Sequence, residues 1–108
     1  MMSLDVNLMV SKIVLILTLE ITNALDYATT KIALEKGLKE ANPLARALMK
    51  WGWWKYQLVK FLLPQPIVAS ALMSDDPYYS YRVAMAVGSL VFGYAVINNL
   101  MLIRIVEK

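Results

Sequence analysis

Residues 8–36 read LMVSKIVLILTLEITNALDYATTKIALEK, and this stretch decides the fold. A helix needs about 20 apolar residues to cross the roughly 30 Å hydrocarbon layer of a bilayer, and Leu8 to Ala28 meets that length. Helix is expected to continue to Lys36, where Gly37 is a natural C-cap. Glu20, Asn23, Asp26 and Thr30 follow at intervals of three, three and four. At about 100° per residue the last three fall within ~60° of one another, with Glu20 at the edge of the stripe. An ionisable side chain facing lipid costs several kcal/mol, so one wet stripe on an apolar helix must face protein or water.

Working outward, the rest of the 108-residue chain agrees. Its hydrophobic share is 59%, its charged share 18% and its mean hydropathy +0.54, more apolar than a soluble domain. A second apolar run, Tyr56 to Met73, is headed by Trp51, Trp53, Trp54 and Tyr56 as an interfacial aromatic belt. A third, Val83 to Val106, follows Tyr78, Tyr79 and Tyr81 at the opposite interface. Between the first two, Asn42 is a good N-cap, Pro43 suits the first helical position, and Leu44, Leu48 and Trp51 recur at helical spacing. The expected fold is an all-α membrane protein forming one domain over residues 1–108. It has three transmembrane helices, about 8–36, 55–73 and 82–106, and a short amphipathic interfacial helix, about 43–53. Pro64 and Pro66 each remove a backbone donor, so a kink is expected there, its freed carbonyls satisfied by neighbouring helices. Ser74-Asp75-Asp76-Pro77 reads as a turn.

The net charge of +3 is spread around the apolar spans and not gathered on one water-exposed face, which argues against nucleic acid as a partner. Lys31, Lys36, Lys39, Arg46, Lys50 and Lys55 flank the first loop, with Arg104 and Lys108 at the C-terminus, whereas Lys12 and Arg82 fall on the other side. By the positive-inside rule the first loop and C-terminus are cytoplasmic and the N-terminus is outside, in a multi-pass protein of the inner membrane. No Lys or Arg precedes the first apolar run, so it does not read as a cleaved signal peptide. Lys- and Glu-rich loops suit a prokaryotic, thermophilic source.

With no Cys and no His, disulfides, thiolate or imidazole metal sites, haem held by either residue, and Ser-His or Cys-His catalysis are excluded. The chemistry lies in the polar residues within the spans. Counting ~1.5 Å per residue from the cationic boundary brings Asp26, Lys60, Asn98 and Asn99 to one level. An Asp26–Lys60 ion pair is expected there, extended by Asn23, Asn98 and Asn99, because each charge offsets part of the other's desolvation cost. Glu20 and Gln65 come out level about ~8 Å deeper, with Tyr94 close by, as a possible proton path. Glu40, just after the Gly37 break, is placed to reach Lys60 or the Asn98-Asn99 amides. With Asp26 it makes a minimal oxygen set for a hard cation such as Mg²⁺, but no resident metal or cofactor is expected. Ala84-x-x-x-Gly88 and Ser89-x-x-x-Gly93 are small-residue pairs that allow close helix approach, within the fold or between copies.

Asn23-x-x-Asp26-x-x-Thr29-Thr30, then Gly37-x-x-Glu40-x-Asn42-Pro43, Lys60 and Asn98-Asn99 resemble the signature of a domain-of-unknown-function family of small archaeal and bacterial multi-span membrane proteins. The resemblance covers about residues 15–103 and implies the fold and the importance of those positions. It carries no established activity, and Glu20 and Gln65 are not part of its pattern. Three function classes are therefore weighed. The leading one is a binding, scaffold or assembly component organised around a buried polar cluster of Asn23, Asp26, Thr30, Glu40, Asn42, Lys60, Asn98 and Asn99. It would act as a homo-oligomer or within a larger membrane complex, since three helices bury little area. The second is an oligomeric ion or proton conductor through Glu20, and the third an intramembrane enzyme using Asp26 and Glu40 as acid and base.

Overall fold

The computed structural model describes residues 2–40, 42–73 and 80–107, and each regular element among them is an α-helix. In chain order these are α1 (Met2–Glu35), α2 (Pro43–Trp51), α3 (Trp53–Leu62), α4 (Gln65–Met73) and α5 (Ser80–Glu107). The Ser74–Pro77 turn, Tyr78, Tyr79 and Lys108 lie outside the described residues.

Local chemistry sets the helix ends. Gly37 takes φ +90°, a backbone that β-carbon-bearing residues rarely adopt. It lets the Leu38 N–H reach the Ala33 carbonyl at 3.0 Å and the Gly37 N–H reach Leu34 at 3.0 Å. Those paired bonds close α1 as a Schellman motif. The Asn42 side chain accepts from the Leu44 N–H at 3.0 Å and the Ala45 N–H at 3.5 Å, with Pro43 in the first turn, so α2 starts where its sequence says. Two boundaries differ from the sequence expectation. The first helix begins at Met2, well before the apolar run, because hydropathy marks the lipid layer and not the end of a hydrogen-bond ladder. The amphipathic helix stops at Trp51, where Gly52 turns the chain into α3.

The prolines divide the second apolar run into α3 and α4, with Leu63 and Pro64 between them. Pro64 has no N–H to give the Lys60 carbonyl four residues back, and Pro66 none for Leu62. Their places in the chain make the break a covalent necessity.

Leu19 meets Gly88, Thr30 meets Asn99, and Lys36 pairs with Glu107 at 2.7 Å. These contacts climb both chains in the same direction, so α1 and α5 run parallel. Glu20 with Gln65 and Tyr27 with Trp53 step in opposite directions, so α3 and α4 run antiparallel to α1. Leu19, Val68, Ala71 and Met85 form the buried apolar core, drawn from α1, α4 and α5. A β-carbon on Gly88 would sit 2.9 Å from Leu19 Cδ1, so that glycine serves packing within the chain, whereas one on Gly93 would meet open space. At the other end Tyr27, Trp53, Tyr56 and Phe61 pack ring against ring, with Trp53 Nε1 donating to the Tyr27 hydroxyl at 3.1 Å.

The molecule measures 54 × 31 × 17 Å, with a radius of gyration of 16.4 Å against about 13 Å for a globular chain of this length. Its accessible surface is 7691 Å², against about 6,100 Å² for a compact monomer of its 12.2 kDa mass. Much of the excess is apolar. Val10, Val14, Leu17, Ile21 and Leu25 stand exposed along α1, and Val83, Val87, Leu90, Val91 and Ile97 along α5. Among the described residues one helix, Ser80–Glu107, is long and apolar enough to cross a membrane.

Candidate functional site

The proline break creates the site. The Lys60 carbonyl, left without its helical donor, is taken up by Asn23 Nδ2 of α1 at 3.0 Å, and Asn23 is only 1% exposed. That bond fixes the amide's orientation, so the buried Asn23 Oδ1 faces away from the carbonyl and has no protein partner. On the same residue of α3, Lys60 Nζ donates to Asp26 Oδ2 at 2.7 Å and lies 4.7 Å above the Phe92 ring of α5. The side chains of the pair are 11% and 14% exposed, so little water screens it.

The other oxygen of Asp26 faces α5. Asn99 Nδ2 lies 3.3 Å from Asp26 Oδ1, 2.9 Å from Thr29 Oγ1 and 3.0 Å from Thr30 Oγ1. Thr30 Oγ1 itself lies 3.4 Å from Asp26 Oδ1, the weakest contact of the group. One carboxylate on α1 thus takes an ammonium from α3 and an amide from α5. The depth count from sequence puts the same residues on one level.

Glu20 is held differently. Gln65, which opens α4, places Nε2 2.9 and 3.1 Å from the two Glu20 oxygens and 2.9 Å from the Phe61 carbonyl. A neutral amide here stands where Asp26 has a full positive charge. Tyr94 does not join this pair: it is 72% exposed on the outside of α5. The helical turn separating it from Asn98 is right in depth but wrong in azimuth, which counting along the axis does not constrain.

Asn98 and Asn42 also fall outside the bonded group. Asn98 is exposed and lines a cavity of about 60 Å³ together with Thr30, Leu38, Lys39, Glu40 and Asn99. Asn42 is exposed and is spent on capping α2. Glu40 accepts from the Asn42 N–H at 3.0 Å, so its carboxylate tightens the loop at the cavity rim and does not reach Lys60. Among the described residues no three carboxylates converge as a metal cage would need.

Two members stand outside the polar cluster expected from sequence. Thr29, named there only through the family signature, is buried and supplies an acceptor to Asn99. Tyr56, read as a lipid-interface aromatic, is 6% exposed and lies against Thr30 in the field of Asp26 and Glu40. An aromatic belt and a buried phenol look alike in sequence, and only the packing of Tyr27 and Trp53 over the ring separates them.

Residues 8–105 match the family described as Domain of unknown function (DUF5658). The chain belongs to that family. The matched region contains every residue of the cluster and both rims of the cavity. No curated protein and no solved structure matches the chain.

Chemically, the cluster is a closed donor and acceptor network: Lys60 and Asn99 donate, and Asp26, Thr29 and Thr30 accept. Such a network specifies one arrangement of three helices. Asn99 and Thr30 of this network also border the cavity.

Proposed function

We propose that the chain is a three-span protein of the inner membrane that acts as a binding or assembly component around the Asp26–Lys60–Asn99 cluster. The spans are α1, the broken α3–α4 unit and α5, with α2 lying in the cytoplasmic interface. The observation carrying this reading is that a carboxylate, an ammonium and an amide from three helices meet within 2.7–3.3 Å while apolar side chains cover the outside. In water such a surface would aggregate; in lipid it is solvated, and only the polar stripe needs protein around it. The α3–α4 unit holds 21 residues from Trp53 to Met73, about 31 Å at ~1.5 Å each, enough to cross despite its break. Helix α2 buries no residue and leaves Leu44 69% and Trp51 70% exposed, which suits an element floating at the headgroups.

The native absence of cysteine makes the topology directly measurable. In right-side-out vesicles or whole cells, a membrane-impermeant maleimide should label Asn7→Cys from outside and leave Lys50→Cys unlabelled until the membrane is opened. Labelling of both from one side means that the helices do not span as proposed.

A conducting role draws on the Glu20–Gln65 pair, a second polar level deeper in the same bundle. Proton or cation flux into liposomes that disappears with Glu20→Gln would favour it over a sealed scaffold. Equal silence of wild type and variant removes it.

A further inference from the structure

The cavity beside the cluster has a composition that points to its ligand. Its volume is about 60 Å³, with Leu34, Leu38 and Leu102 forming an apolar wall and Lys39, Glu40 and Asn99 a polar one. Asn99 Nδ2 is committed to Asp26, Thr29 and Thr30, which leaves the amide oxygen as the group this residue can offer the cavity it lines. Glu40 uses Oε1 for the Asn42 N–H, which leaves its second oxygen to face a ligand. Lys39 shares the rim and, among the described residues, holds no ion pair. The site therefore offers a carboxylate oxygen, an amide oxygen and an ammonium beside an apolar wall. It is lined from α1, the loop that follows it and α5, two helices that the Lys36–Glu107 pair joins at the cytoplasmic edge of the proposed spans.

We infer that this cavity binds the primary-ammonium head of a phosphoethanolamine lipid in the inner leaflet. Glu40 and the Asn99 oxygen accept from the ammonium, Lys39 meets the phosphate, and the leucine wall lies along the first carbons of the lipid. A cavity of about 60 Å³ admits an ammonium with its neighbouring methylene. A trimethylammonium head is larger and has no N–H to satisfy either oxygen. The inference rests on the membrane reading above and names the ligand of the same site. Free O-phosphoethanolamine carries the same head chemistry, so the test includes it.

The full-length protein in detergent is given an equimolar mixture of phosphatidylethanolamine and phosphatidylcholine, and bound lipid is read by native mass spectrometry. Wild type should retain the ethanolamine lipid about tenfold over the choline lipid, the value of one charge-assisted hydrogen bond. Glu40→Gln should bring the two near parity, since its amide oxygen still accepts from the Asn42 N–H and the loop is kept. Lys39→Gln should lower retention of both lipids alike. Equal retention by wild type, or a preference that survives Glu40→Gln, overturns the assignment. Displacement of bound lipid by O-phosphoethanolamine places recognition in the head alone; persistence of the lipid shows that the chains contribute too, and both results uphold the ammonium site. Cysteine labelling of the same variants is read in parallel in whole cells: lost lipid preference with intact topology sinks the cavity assignment only, and failed topology sinks the membrane reading beneath it.

Discussion

At the level of Asp26, α1 meets α3 and α5 through a carboxylate, an ammonium and an amide at 2.7 and 3.3 Å. At the level of Leu19 it meets α4 and α5 through Val68, Ala71, Met85 and the bare backbone of Gly88. The first contact is directional and the second is a matter of shape. In the membrane setting proposed above, an apolar side chain gains little by exchanging acyl chains for protein, so a shape contact holds only by close fit. A polar contact has a different alternative, an unsatisfied group in hydrocarbon, and it therefore sets register and partner. Two levels of one helix thus divide specificity from closeness.

The contrast is most severely tested at the ion pair. Lys60→Met or Asp26→Leu alone should lower stability in detergent or lipid by about 3 kcal/mol, because each leaves a lone buried charge. The double variant should lose less than the sum, with a coupling of at least about 1 kcal/mol, read from denaturant titrations of all four proteins. Additive losses would show that the charges do not sense each other.

At the packed level, Gly88→Ile should cost about 2 kcal/mol by overpacking against Leu19, and Leu19→Ala in the same chain should recover part of it. Gly93→Ala, facing open space, should instead stabilise by about 0.5 kcal/mol through helix propensity. If both glycines respond alike, the close approach at Gly88 is not what seats α5.

The subtlest test joins the two levels. Asn23→Ala should cost about 1 kcal/mol by stripping the Lys60 carbonyl of its donor. In a Pro64→Ala background the backbone N–H returns to that carbonyl, and the Asn23 substitution should cost measurably less. An unchanged cost would mean that Asn23 acts through its unpartnered Oδ1 and not through the break.

Much of the fold was legible along the chain. Gly37, Asn42 and Pro43 announce their turn and cap because each acts through its own backbone or its nearest neighbours. The proline break and its need for an outside donor follow from Pro64 alone, but the donor's identity does not. Level was readable too, since helical rise is constant, and Asp26, Lys60 and Asn99 meet where counting places them. Azimuth was not. Tyr94 shares that depth scale yet faces outward, Asn98 reaches the cavity and not the carboxylate, and Tyr56 turns inward from an aromatic run that reads as lipid-facing.

By itself, then, the sequence determined an all-helical chain, the stops and breaks of its helices, and the height of each polar group along them. These depend on bonds within a few residues and on a fixed rise per residue. Tertiary structure alone decided which groups at one height touch: that Asn23 serves Lys60, that Asn99 and not Asn98 reaches Asp26, and that Glu40 borders a cavity. Those choices depend on the rotation of whole helices about their axes, which is set by the packing of every side chain between them at once.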